Sequence, residues 1–238
     1  MSTRALGTAP AHFWRNKFWQ RWVMANALGE LVGLGAVAAI GLIVFQRAGE
    51  PADVAQALAF AATFVLLGGL EGAVIGLAQR RVLLTLLPSV RGWVFATVVG
   101  AMVAWAVGMV PSTVIGLMQQ GAITQDAPPE PSLLLMLMLA AGLGAVAGPM
   151  LAAFQWLSLR KVLPGRAWLW FPANSAAWAL GMPVIFLGTQ ANEFTSSAPV
   201  IAGLVALAIL IAGALVGAVH GRVLLGLAQN TSATRNGA

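Results

Sequence analysis

The chain has 238 residues, of which 59% are hydrophobic and only 8% charged, and its mean hydropathy is +0.85. A soluble domain carries about 25% charged residues, so this chain cannot cover itself with polar surface. It has no Cys and only two His, His12 and His220, which excludes disulfides, thiolate sites and Cys nucleophiles and argues against a His-built zinc site. The net charge of +6 does not signal nucleic acid, because the basic residues flank apolar runs instead of forming a stripe.

Residues 1–21 hold Arg4, His12, Arg15, Lys17 and Arg21, interleaved with Phe13, Trp14, Phe18 and Trp19. Trp14, Phe18 and Trp22 fall at helical i+4 spacing, which predicts a basic, aromatic helix lying on the cytoplasmic membrane surface. A charged lead-in of this length, followed by a spanning run that contains Glu30, argues against a cleaved signal peptide. Residues 22–220 then hold six apolar runs: Trp22 to Phe45, Ala57 to Gln79, Trp93 to Met118, Leu133 to Trp156, Trp168 to Thr189 and Ala198 to His220. Each exceeds the roughly 20 residues that cross a hydrocarbon core as a helix. Lipid offers no partner to an open backbone, so helix is the only reading. The predicted fold class is an all-α integral membrane bundle of six transmembrane helices, followed by a cytoplasmic tail, 221–238. The third connection, Gln119 to Pro131, is polar and Pro-rich, as an exposed loop should be.

Of the 13 Lys and Arg, all but Arg47 fall on one side of this arrangement, while Glu50, Asp53, Asp126, Glu130 and Glu193 lie in the opposite loops. The positive-inside rule puts both termini in the cytoplasm. Nine Trp and no Tyr are present, and Trp favours the membrane interface.

The runs fall into two types. Gly72-x-x-x-Gly76-x-x-Gln79 has the same spacing as Gly148-x-x-x-Ala152-x-x-Gln155 and Gly213-x-x-x-Gly217-x-x-His220. Pro88 and Pro164 follow their amides at one common offset. The other runs share Trp22-x-x-Ala25-Asn26-x-x-Gly29, Trp93-x-x-Ala96-Thr97-x-x-Gly100 and Trp170-x-x-Ala173-Asn174-x-x-Ala177. These spacings predict two-helix units repeated in tandem and in parallel orientation, with the chain entering and leaving mid-repeat.

The stretch Gln155-Trp156-Leu157-Ser158-Leu159-Arg160, through Leu163-Pro164 to Trp168, resembles a widespread group of uncharacterised bacterial membrane proteins. Their repeats read Gly-x-x-x-Gly-x-x-Gln-Trp-x-x-Leu-Arg, then Leu-Pro and a Trp-rich helix start. Gly72 to Trp93 is similar, except that Arg80 stands where that group often has Trp. The resemblance runs over most of the chain from Gly68 onward. It implies a bacterial cytoplasmic (inner) membrane protein and carries no activity with it.

The Gly-x-x-x-Gly stripes are read as packing faces, since small residues let backbones approach where lipid gives no hydrophobic force between helices. They lie inside apolar helices, so they are not phosphate-binding loops. Gln79, Gln155 and His220 hold equivalent positions near the predicted cytoplasmic ends. They are expected to cap or cross-link helices by hydrogen bonds, with axial ligation of a tetrapyrrole metal as the sharper alternative. Pro149, Pro172 and Pro183 are expected to kink their spans. Glu30 and Glu71 are the strongest functional signal. Each lies roughly 12 Å inside the cytoplasmic boundary, at 1.5 Å per residue, on consecutive helices joined by a short loop, so the two meet at one depth. Asn26, one turn before Glu30, is a candidate partner. An intramembrane acid is expensive and marks function by default.

No nucleophile–base constellation or metal set appears, so no enzyme is expected. The first expectation is an accessory or packing subunit of a larger membrane complex, with lipid and other membrane subunits or a second copy as partners. The alternative is a small transporter or proton-coupled carrier using Glu30 and Glu71. A pigment- or haem-associated subunit is a minor third. No cofactor is expected, lipid or tetrapyrrole being the candidates if there is one. A reporter fused after Arg235 should read cytoplasmic and one inserted at Pro128 external; the reverse would sink the charge argument.

Overall fold

The computed structural model describes residues 16–49, 51–121 and 131–236. Among them there is no strand, and six helices carry the fold: α1 (Lys17–Ala48), α2 (Val54–Leu83), α3 (Trp93–Gly121), α4 (Leu133–Leu159), α5 (Trp170–Thr189) and α6 (Ala198–Asn236). Short 3-10 turns, Ala167–Leu169 and Ala191–Glu193, flank α5. All six helices are long and apolar enough to cross a membrane, which makes the chain compatible with an integral, multi-pass membrane protein.

The helices start where local chemistry satisfies their first N–H groups. Asn16 Oδ1 accepts from Phe18 N at 2.9 Å, and Asp53 Oδ1 accepts from Gln56 N at 2.8 Å. Gly49, at φ 72°, ends α1. Two expected boundaries move. Lys17 to Arg21 belong to α1 and are continuous with its spanning part; residues 1–15 lie outside the described residues, as do Asp126 and Glu130 in the third connection. At the other end, α6 does not stop at His220. Leu224, Leu225 and Leu227 are buried in the core, so the expected tail begins as packed helix.

Each helix packs on its chain neighbours, and α6 packs on α1, so the helices close into a ring. Adjacent helices are antiparallel. Gly213, Gly217 and Gly221 of α6 run down against Ala27, Val23 and Trp19 of α1. The approach is closest between α4 and α5, where Gly144 faces the Trp178 carbonyl and Gly148 the Asn174 carbonyl, leaving no room for a Cβ.

Two of the prolines have their missing N–H accommodated locally, and α5 continues through the third, Pro183. Pro172 sits in the first turn of α5, where the missing N–H has no intrahelical partner to lose. Pro149 leaves the Ala145 carbonyl without its i+4 donor, and Ser175 Oγ of α5 donates to that carbonyl at 2.8 Å. α4 therefore continues through Pro149, and the freed carbonyl becomes a link between helices.

One end of the ring is filled by apolar side chains. Trp22, Trp93 and Trp170 are fully buried there, together with Leu83, Leu159 and Leu224. Leu87 and Leu163, from the connections after α2 and α4, complete this plug. The outer face is apolar too: Leu66, Phe95, Leu134 and Leu139 are all at least 60% exposed, as suits contact with lipid. Gly148→Leu should push α5 off α4 and lower stability in detergent by roughly 2 kcal/mol or more. Gly142, whose Cβ position meets nothing within 4 Å, should tolerate the same change. Equal melting temperatures for the two variants would contradict the α4–α5 contact.

Candidate functional site

Between the tryptophan plug and the far end of the ring lies a cavity of about 250 Å³ to which all six helices contribute. Most of its wall is apolar, including Leu34, Ile75, Met109, Leu143, Met182 and Val216. Glu30 and Glu71 sit halfway along it, Asn26, Gln79, Thr97 and His220 form its floor nearest the plug, and among the described residues no Lys or Arg lines it.

The acids arrive from α1 and α2. Glu30 is 2% exposed and Glu71 7%. Gly33 brings the two backbones together, since a Cβ there would lie 3.2 Å from Glu71 Cα. The two side chains line the same cavity as close neighbours. Glu71 Oε2 accepts from Trp105 Nε1 at 2.7 Å. The Trp105 ring is fixed by stacking on Phe64, at 6.0 Å between centroids, and by lying over Gly68, where a Cβ would collide with it. Glu30 Oε2 is buried without a partner, and so is Nε1 of Trp178, which lines the same cavity.

Trp105 was absent from the residues singled out by sequence. The available signal was its depth: it lies mid-span, far from the interface that Trp prefers, so its N–H needs an acceptor inside the protein. The proposed partnership of Asn26 with Glu30 is not formed. Asn26 Nδ2 donates to the Trp22 carbonyl at 2.8 Å and Asn26 Oδ1 accepts from Gln79 Nε2 at 2.9 Å. One helical turn separates Asn26 from Glu30, and its amide is held by the floor.

The floor is a set of interhelical bonds. Gln79 joins three helices: Oε1 accepts from Trp93 Nε1 at 3.1 Å, and Nε2 donates to Asn26 Oδ1. Gln155 does the same, accepting from Trp170 Nε1 at 2.9 Å and donating to Thr97 Oγ1 at 3.1 Å. Thr97 and Asn174 in turn donate to the carbonyls of Trp93 and Trp170, as Asn26 does to that of Trp22. The two glutamines thus tie neighbouring helices together within their spans and cap no helix end. Their Oε1 atoms, which a metal would take, each accept from an indole. At His220 the set stays open. Both imidazole nitrogens, Trp22 Nε1 and Asn174 Oδ1 all lack partners. A glutamine amide presents donor and acceptor side by side, whereas the imidazole spaces them across a ring, which here lies against Trp170 at 4.7 Å between centroids.

Comparison with known proteins gives no match: no family model, no curated protein and no solved structure aligns with the chain.

Removing one member of a buried pair strands the other. Gln155→Leu should therefore cost about 1–3 kcal/mol in thermal unfolding, leaving Trp170 Nε1 without an acceptor. Adding Trp170→Phe should then cost less than the same change made alone. Strict additivity of the two would show that the indole bond contributes nothing.

Proposed function

We propose that the protein is a small non-enzymatic carrier of the bacterial cytoplasmic membrane, with the Glu30–Glu71 pair as its exchange site. The observation that carries this reading is the pair's position: two neighbouring acids buried in a cavity at the centre of a closed helical ring. Acids at membrane depth are costly, and proton relays and ion pathways are where they occur. Two neighbouring carboxyls in an apolar site favour holding a proton between them, and that proton can be displaced by a cation or passed on.

The scaffold of this carrier is three helix pairs in tandem, α2 with α3, α4 with α5, and α6 with α1. The matching bonds of Gln79 and Gln155 support that division, as do Leu83, Leu159 and Leu224 at one common offset from Gln79, Gln155 and His220. Acids interrupt the pattern only at Glu30 and Glu71, where the other copies have Ala101 and Trp178, or Ala147 and Ala212. Lys17, Arg21, Arg80, Arg81, Arg160 and Lys161 gather at the tryptophan end, which therefore faces the cytoplasm with both termini.

An accessory subunit of a larger complex draws less support from the folded chain. Small-residue faces would suit contact with other subunits, but the ring uses them itself. Gly72 and Gly76 lie against α3, Gly148 against α5, and Gly213 and Gly217 against α1.

Purified protein in liposomes should catalyse proton-linked flux without a partner. Glu71→Gln should keep the fold, since the amide oxygen still accepts from Trp105, and bring flux down to that of empty liposomes. Parent-level flux in this variant, or no flux from the parent while partners co-purify with it, would discard the carrier.

A further inference from the structure

We infer that the cavity binds a small organic ammonium ion with an apolar body, its N–H groups donating to Glu30 and Glu71. The inference rests on the carrier proposed above and names its solute class.

Charge sets the sign. Among the described residues the cavity is lined by two carboxyl groups and no Lys or Arg, so an anion entering it meets acids and no permanent cation. In an apolar surround that repulsion is poorly screened. Geometry sets the head group. Glu30 is 2% exposed and its Oε2 has no donor, although it sits beside open volume. A buried carboxyl oxygen without a donor is unfavourable, and an ammonium N–H is the donor it lacks. His220, also 2% exposed, lines the same cavity with both ring nitrogens unpartnered, so the polar floor retains further unused bonding capacity.

The wall sets the rest of the molecule. A calcium ion takes six or more oxygens and magnesium an octahedral shell with retained water, and two carboxyls among Leu34, Leu143, Met109 and Met182 do not supply either. The same wall suits a hydrocarbon body. Beyond the acids, away from the plug, the lining is Leu34, Gly108, Met109, Met182 and Ile185, which places the body there and the head toward the floor. Trp105 and Trp178 add indole surface beside the head, where a cation is attracted to the ring face.

Three probes of one size and different charge test this: benzylamine, benzyl alcohol and benzoate, titrated by calorimetry into the full-length protein in detergent near neutral pH. Benzylamine should bind on the order of 30-fold or more tighter than benzyl alcohol, because a desolvated charge pair distinguishes them, and benzoate should not bind. Glu30→Gln should erase the preference for the amine. Gly108→Leu should abolish amine binding with no loss of melting temperature, since a Cβ at Gly108 meets nothing within 4 Å and the new side chain occupies the body's space. Equal binding of amine and alcohol, tighter binding of benzoate, no binding of any probe, or a preference that survives Glu30→Gln would each overturn the proposal. Should Glu30→Gln fail to fold, the ranking on the parent protein and Gly108→Leu decide the matter. Amine binding without flux in liposomes retires the carrier and keeps the ligand class. Proton flux without amine binding does the reverse.

Discussion

An indole N–H buried in hydrocarbon is costly unless it finds an acceptor within the protein. Trp93 and Trp170 are fully buried and find theirs in Gln79 and Gln155, on the preceding helices. Each glutamine then has an N–H to place, and it goes to the next helix round, to Asn26 or Thr97. One donor's need thus fixes the rotation of three helices at once. The apolar plug depends on that rotation, since Leu83 and Leu159 lie one turn beyond the glutamines on the same face. The cavity begins where the plug ends, so its floor is set by the same bonds.

Backbone proximity does the complementary task. Side-chain bonds fix rotation, whereas glycines fix distance. Where α4 meets α5, the contact is nearly backbone on backbone, and the Ser175 hydroxyl reaches the carbonyl that Pro149 leaves open. Elsewhere the ring is looser, and the central volume remains. The glycine at 33 shows how the two effects combine at the site: it lets α1 approach α2 at the level of Glu71, so Glu30, one turn earlier, meets the other carboxyl.

The spans were legible because apolar runs of spanning length have one stable backbone in lipid. Their ends were less so. Lys17 to Arg21 look interfacial by charge, yet helix propagation carries α1 through them, and Leu224 to Leu227 look like a tail because Arg222 precedes them. The meeting of Glu30 and Glu71 could be read from depth alone, since antiparallel neighbours joined by a short loop bring equal depths together. Ring closure could not, because nothing in the linear pattern says that α6 touches α1. Trp105 was also passed over: a mid-span Trp carries no charge and looks like packing until its N–H is asked to account for itself. Asn26 was paired with the wrong residue for a related reason. Helical spacing shows what lies one turn away on the same helix, and the partner that wins is on the next helix.

The contact between α6 and α1 has a consequence for biogenesis. Gly213 lies against Glu30 Cβ, so one flank of the acid pair is supplied by α6, the last of these six helices to leave the ribosome. During synthesis α1 enters the membrane carrying a carboxyl whose final surroundings do not yet exist. Until α6 arrives, Glu30 has Glu71 as company on one side and lipid or the insertion machinery on the other. Early pairing of α1 with α2 is then a protection for the nascent chain as well as a step toward the finished ring. The two helices that bear the acids are consecutive in the chain, which keeps that exposed interval short.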